Sequence, residues 1–360
     1  VRIAFLLPSA YGMRGDVRAM LNLAGGLAAR HEVEVVSVRR TRETPFFPVD
    51  RRVTLRWLVD ARPGVHHLLP RGQVRTEVAL WRMLRGLRAD VLVTTRPTLS
   101  VQAARYAPRH VVRIAREWGK PSVPGPVRRF YPRLDAVVAS TAGRRDEWVR
   151  LLDDDLSVHV IPDALPGAPW PRSRMDNRIV SAGGRLVPGK SYDQLVRAFA
   201  IVADKRPDWR LRLYGGGPEE RRLRALVRDL DLHNHVYFMG TTPDLPGEFA
   251  KASIVAVPSR HEVLGMTVIE ALSCGVPVVG FAGSRGPAEF LRPGRDSVLV
   301  QEGEGGGDAE SLACALLTLV DDERRRMKLA AGALETASAH AAPAVAVRWE
   351  ELMYGLRSRP

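Results

Sequence analysis

The stretch VAVPSRHEVLGMTVIEALSCGVPVVGF, Val255–Phe281, decides how this chain is read. It continues the run SIVAVPS, β-branched and small side chains without a charge, which reads as a buried strand. Gly265 opens a helix, Gly275 closes it, and VPVVGF is the next buried strand. Strand, loop, helix, strand is the unit of parallel α/β sheets, which bind ligands at the carboxyl ends of their strands. A helix that begins at Gly265 to Met266 aims unpaired N–H groups and a positive dipole end at whatever sits above the first strand, which suits a diphosphate. Two glutamates, Glu262 and Glu270, lie around that helix start.

The spacing of these glutamates carries little by itself. With 19 glutamates in 360 residues, about one Glu-x7-Glu pair is expected from composition alone. Glu302 and Glu310 form a second such pair, in QEGEGGGDAE, a Gly-rich acidic stretch that reads as a solvated loop. The flanking strands and helix set the first pair apart.

Upstream, RIVSAGGRLVPGKSYDQLVRAFAIV, from Arg178, reads as a short strand, a Gly-containing loop with two cations, and a helix with Leu195, Val196, Phe199 and Val202 along it. Arg185 offers a planar fork to phosphate oxygens and Lys190 a compact charge. From Gly184 to Ser191 the loop formally matches a triphosphate P-loop, but Arg, Leu, Val and Pro188 fill its middle, which argues against that reading. RLRLYGGGPEERRLRALVRDLDL adds a strand, a triple-glycine turn and an amphipathic helix. Gly215, Gly216 and Gly217 serve either a tight turn or the close approach of a nucleotide, and both readings stay open.

The loop GGRLVPGK and the helix between Glu262 and Glu270 together resemble the donor site of retaining family-4 glycosyltransferases of the GT-B fold. That fold is α/β, with two doubly wound Rossmann-like domains facing a cleft and a C-terminal helix crossing back to the first. The resemblance implies a nucleoside diphosphate sugar, a UDP-sugar first, as co-substrate, with no cofactor and no metal. Transfer would be to a hydroxyl acceptor with retention of anomeric configuration. It implies that Arg185 and Lys190 neutralise the leaving diphosphate, that Glu262 faces the donor sugar and that Glu270 accepts from the ribose hydroxyls. Gly184, Gly215, Gly216, Gly265, Met266 and Thr267 would surround the donor, with Glu289, in GFAGSRGPAEFL, close to it. The loop after the first strand, GMRGDVRAMLNLAGGLA, would approach diphosphate and acceptor through Gly12, Arg14, Gly15 and Asp16, assisted by Arg18. Three departures stand out. Ser191 follows the lysine where Gly is common, and Asp163 stands where Asn is more typical. A histidine usual after the strand VVRIAREWG is replaced by Glu117 and Trp118, which become the candidates for sugar contact.

The expected domain plan is an acceptor-binding domain over 1–162, a proline-rich linker over 163–177, a donor-binding domain over 178–340 and a crossover helix over 341–360. In the first domain, strands are expected at Arg2–Leu7, Glu32–Val38, Asp90–Thr94, His110–Ile114 and Ala136–Ala139, with helices at Val17–Arg30 and Val78–Arg88. The loop Ala61–Thr76 is where acceptor selectivity is expected.

At 45% hydrophobic, the chain is long enough for two cores. Its net charge of +14 is uneven: 28 Lys and Arg face 16 Asp and Glu up to Trp170, and 26 face 24 beyond it. The asymmetry favours an anionic glycan, glycolipid or natural product as acceptor, or an anionic membrane surface, against the first domain. An arginine-rich composition, 49 Arg to 5 Lys, is the competing explanation. VALWRMLRGLR and VPGPVRRFYPRL mix cations with aromatic and apolar residues and are the segments to watch for membrane contact. Nothing points to nucleic acid: zinc-finger spacing and RNA-binding aromatic motifs are absent and only 6% of residues are aromatic. HNH at His233–His235 reads as a loop and Asp153–Asp155 as surface charge, so no metal is assigned. Cys274 and Cys314 read as buried free thiols in a reducing compartment. No apolar run reaches transmembrane length, and VRIAFLLPSAYG reads as a first strand, which places the chain in the cytoplasm. Two rival readings remain. A nucleotide-sugar epimerase of related fold would convert the donor without an acceptor. A non-catalytic anionic-polymer or nucleic-acid binding protein would explain the basic half but not the Arg, Lys and Glu constellation.

Overall fold

The computed structural model of the chain describes residues 1–63, 73–119, 123–152, 156–260, 265–283, 287–301 and 308–358. It divides into two compact units, Val1–Gly167 with His340–Pro360, and Ala168–Ala339.

In chain order, the first unit comprises β1 (Arg2–Leu7), α1 (Gly15–Leu27), β2 (Glu32–Arg40), β3 (Val53–Asp60), α2 (Gln73–Arg85), β4 (Val91–Thr94), α3 (Pro97–Tyr106), β5 (Val112–Glu117), α4 (Pro124–Phe130), β6 (Ala136–Ala139), α5 (Ala142–Leu152) and β7 (Val158–Val160). Among the described residues its strands form one seven-stranded parallel sheet in the order β3-β2-β1-β4-β5-β6-β7. Ile3 stands opposite Val33 on one side and Val91 on the other, so the order reverses at β1 and β4. Ligands of doubly wound sheets bind beside such a reversal, at the carboxyl ends of the strands.

The second unit comprises β8 (Ile179–Gly183), α6 (Tyr192–Lys205), β9 (Arg210–Tyr214), α7 (Glu220–Asp229), β10 (Val236–Gly240), α8 (Leu245–Phe249), β11 (Ile254–Val257), α9 (Met266–Ser273), β12 (Val278–Phe281), β13 (Ser297–Val300), α10 (Asp308–Val320) and α11 (Glu323–Ser338). Its parallel sheet runs β10-β9-β8-β11-β12-β13 and reverses between β8 and β11. Leu195, Val196, Phe199 and Val202 of α6 are all fully buried against Val180, Leu211 and Ile254, as an amphipathic helix on a sheet requires.

The last helix, α12 (Ala342–Arg357), belongs to the first unit and packs on α1. Gly26 makes this approach possible, because a Cβ there would lie 3.0 Å from the Ala342 carbonyl oxygen. Glu350 of α12 bonds His31 Nε2 and an Arg30 guanidinium nitrogen, each at 2.8 Å.

Several local expectations are corrected. β3 and α3 were not anticipated. β5 begins at Val112 and runs on to Glu117, so Glu117 is a strand residue rather than part of the loop beyond. The loop expected over Ala61–Thr76 gives way to α2 at Gln73, and its middle, with His66, His67 and Pro70, lies outside the described residues. Glu310 sits in the first turn of α10, where a carboxylate complements the dipole. Its partner Glu302, like Asp153–Asp155, lies outside the described residues. Both cysteines are free, but only Cys274 is buried; Cys314 is exposed. Among the described residues no helix is long and apolar enough to cross a membrane.

Candidate functional site

In the second unit, the loops leaving β8, β9, β11 and β12 meet at one edge of the sheet, because parallel strands end on the same side. The chain turns after β8 through Gly184, which takes φ +148°, and places Arg185 exposed between the buried Leu186 and the strand end. A short 3₁₀ turn, Pro188–Lys190, then hands over to α6. Ser191, the first departure noted above, takes φ +52° and ψ +36°. That is the left-handed region, where glycine carries no Cβ penalty. The preference for glycine after the lysine therefore has a backbone cause.

The triple glycine now has a structural assignment. Gly184 N donates to the Tyr214 carbonyl at 2.9 Å and Leu186 N to the Gly216 carbonyl at 3.0 Å. Gly215 N donates to the Gly240 carbonyl at 2.7 Å. A Cβ on Gly215 would stand 1.9 Å from the Gly184 oxygen, and one on Gly217 2.3 Å from the Leu186 oxygen. Gly215 and Gly217 are thus small so that two loops can lie backbone against backbone, which fixes the loop that carries Arg185 and Lys190. Gly216 is different: its Cβ would meet only Thr241 Cγ2, at 3.6 Å.

α9 starts as its sequence predicted. Gly265, at φ +60°, precedes it, and its oxygen accepts from Val268 N at 2.9 Å and Ile269 N at 3.0 Å. The N–H groups of Met266 and Thr267 begin the helix and have no intrahelical acceptor one turn back. A Cβ on Gly265 would reach 3.1 Å from Phe290 Cζ, so the turn Pro287–Glu289 lies against the helix start and brings the exposed Glu289 to it. Glu270 is 2% exposed on α9. Gly275, at φ +69°, ends the helix, and Val276 N reaches back to the Ala271 carbonyl at 3.1 Å. Burial pushes the Cys274 thiol up to about 12 and its Sγ donates to the Pro246 carbonyl, so it acts as an inert packing group. Glu262 lies outside the described residues, but Arg260, at the exit of β11, is paired with the buried Asp308 at the start of α10. Sequence reading passed over Arg260 because its partner is 48 residues away.

In the first unit, the edge at the β1 and β4 reversal carries Gly12, Arg14, Gly15 and Asp16. Asp16, 7% exposed in the first turn of α1, takes both Arg14 Nε and an Arg14 terminal nitrogen at 2.9 Å. It also pairs with Arg96, at the exit of β4. One buried carboxylate so holds two guanidinium groups side by side at the end of the sheet. Arg96 was also missed, although a cation directly after a buried strand and before Pro97 is the available signal. Arg18 turns inward and lies over the Phe47 ring at 5.0 Å.

Glu117, the last residue of β5, and Trp118 are buried. Glu117 is 2% exposed and accepts from Tyr131 Oη at 2.5 Å and Ser100 Oγ at 3.1 Å. Burial pushes its carboxyl up to about 8, against the opposing pull of these hydroxyls. Trp118 Nε1 donates to Asp163 Oδ1 at 2.9 Å, and Arg116, 1% exposed, donates to the same oxygen at 2.6 Å. Asp163 replaces the more typical Asn because a buried guanidinium needs a carboxylate. As placed, both side chains are buried and held by partners within their own unit. Among the described residues no group of three or more His, Cys, Asp or Glu could hold a metal ion.

The sequence profile described as "Glycosyl transferases group 1" matches residues 171–336. The lipopolysaccharide core biosynthesis glycosyltransferase LpsD of Rhizobium meliloti is 30% identical over 268 residues, covering 71% of this chain and 73% of the relative. The chain belongs to the group 1 glycosyltransferases. An exopolysaccharide phosphotransferase of Streptomyces coelicolor is 35% identical over all of this glycosyltransferase chain, which spans only 41% of that relative's length. Among solved structures, Anabaena HepE in complex with UDP and glucose superposes with a TM-score of 0.77 at 18% identity, covering 98% of this chain and 99% of the other. The two Rossmann-like units are those of a GT-B glycosyltransferase.

Proposed function

We propose that this chain transfers a sugar from a nucleoside diphosphate sugar, a UDP-sugar, to a hydroxyl acceptor, with retention of anomeric configuration and without a metal, as a family-4 enzyme. The observation that carries the reading is the β8 loop. Its backbone is locked to the Gly215–Gly217 turn, and it presents Arg185 beside the sheet reversal from which α9 starts. Two cations and the first N–H groups of α9 make a preorganised site for a diphosphate whose charge grows as it leaves. Glu270 is assigned to the ribose hydroxyls and Glu262 to the donor sugar. The UDP and glucose held by the Anabaena protein support the choice of base.

In the proposed reaction, the bond from the anomeric carbon to the diphosphate oxygen breaks on the face where the acceptor oxygen attacks. The acceptor proton passes to the departing phosphate oxygen. Arg185, Lys190 and the amides of Met266 and Thr267 stabilise the leaving charge, and no separate side-chain base is assigned. The first unit supplies the acceptor, a glycan or glycolipid, in keeping with the exopolysaccharide and lipopolysaccharide names of the relatives.

Thermal shift against UDP, GDP and ADP tests the donor half: strong stabilisation by UDP alone is expected. Transfer from the UDP-sugar should survive EDTA and should vanish in Arg185→Ala and in Glu270→Gln with folding intact. Near-wild-type turnover in either variant refutes the site. Conversion of the donor with no acceptor present replaces the transferase reading with the epimerase one.

A further inference from the structure

α2, α3 and α4 lie on one face of the first sheet. Leu80, Leu84 and Leu99 pack beneath them with Leu6 and Leu92, and Val101 and Val127 pack with Ala115 and Val137. The outward side is unusual in two respects. Val74, Val78 and Trp81, spaced along one stripe of α2, are 75%, 41% and 39% exposed. Across residues 73–88, 97–109 and 123–134 there are nine arginines and one acid, Glu77. Among the described residues none of the nine is ion-paired to a carboxylate. Four of them lie over aromatic rings instead. Arg85 lies 5.4 Å from the Trp81 ring centroid, and Phe130 holds Arg105, Arg129 and Arg133 at 5.3, 5.4 and 5.4 Å.

We propose that this α2–α3–α4 face docks the chain on a bilayer surface containing anionic lipid. Like charges gathered without counter-charges destabilise a fold unless something external neutralises them. The apolar stripe identifies what that is. A nucleic acid or an acidic polysaccharide could stack on Trp81 but offers nothing to the aliphatic Val74 and Val78. A bilayer takes them into the headgroup and acyl boundary while guanidinium groups reach the lipid phosphates. The inference is independent of the transfer reaction, because binding is measured with neither donor nor acceptor present.

The test is cosedimentation of the full chain with phosphatidylcholine vesicles, with and without phosphatidylglycerol. Binding is expected only with the anionic lipid. Arg82→Ala with Arg85→Ala and Arg129→Ala should lower partitioning about a hundredfold, at roughly fivefold per cation. Trp81→Ala with Val78→Ser should weaken it further at an unchanged thermal midpoint, and Arg221→Ala with Arg222→Ala, on α7, should leave it unchanged. Equal binding to neutral vesicles, or an unaffected triple variant, overturns the proposal. Capture of soluble heparin by the same arginines, with vesicle binding indifferent to Trp81 and Val78, overturns it in favour of a polyanion site.

Discussion

Glu117→Gln isolates the energetics of a buried carboxyl. Glutamine keeps the oxygen that accepts from Tyr131 and Ser100 and fills the same space, but it never ionises. In the wild type the carboxyl is raised from 4.5 to about 8 by burial. The native state therefore holds the proton more tightly than the unfolded chain, and the sign follows. Stability tied to Glu117 is full below pH 4.5, falls as pH rises, and levels off above about 8. Between those limits the slope is about 1.4 kcal/mol per pH unit, and the whole span is at most about 5 kcal/mol. Urea unfolding read by intrinsic fluorescence is suited to the measurement, because Trp148, one of seven tryptophans, stacks on Tyr131 with ring centroids 5.4 Å apart. The advantage of the glutamine variant should grow steadily from about pH 5 and become constant above about pH 8. Tyr131→Phe removes a hydroxyl that pulls the carboxyl down, so its plateau should move to higher pH. A variant-minus-wild-type difference that stays flat with pH would show that the carboxyl ionises normally, and the burial argument fails.

The remaining predictions are read by unfolding, transfer or thiol labelling. Gly215→Ala drives a Cβ to 1.9 Å from the Gly184 oxygen and should cost more than about 2 kcal/mol together with transfer activity, whereas Gly216→Ala should be nearly silent in unfolding. Ser191→Gly relieves a left-handed serine and should stabilise by about 1 kcal/mol in urea unfolding; a loss would mean the Ser191 side chain contributes. Asp163→Asn strands the Arg116 charge and should cost about 3–5 kcal/mol, much of it recovered by adding Arg116→Met. A maleimide at neutral pH should label Cys314 quickly and Cys274 only on unfolding, and equal rates would contradict the burial of Cys274.

What was legible in the sequence was what a window of neighbouring residues can encode. Uncharged strands, a glycine that starts α9 and one that ends it, and a loop with Arg185 and Lys190 all declare themselves locally. β3 was not read although VTLRWLVD alternates apolar Val53, Leu55, Trp57 and Val59 with Thr54, Arg56 and Asp60; it is an edge strand in which only Val53 and Val59 are buried, and Leu58 breaks the pattern. β5 was read short and early because Arg116 and Glu117 look like the end of a strand. They are interior because of partners that no local window contains: Asp163 for Arg116, and Tyr131 with Ser100 for Glu117. Arg96 and Arg260 were missed for the same reason, since the carboxylates that hold them come from α1 and α10.

The charge excess shows the same limit from the other side. As a sum it could not separate an anionic partner from an arginine-rich composition, because both give the same total. Composition predicts arginines scattered among acids, and α7 is such a case: Arg222 and Arg224 pair with Glu219 and Glu220. Elsewhere in the first unit Arg52, Arg56 and Arg113 likewise pair with Asp50, Glu34 and Asp135. Folding sets α2, α3 and α4 side by side on the sheet, two of them in segments already marked in the sequence, and gathers nine arginines and a single acid among the three. A composition without a partner has no reason to leave that face unpaired and also line it with Val74, Val78 and Trp81. The distribution therefore favours a docking surface over mere composition.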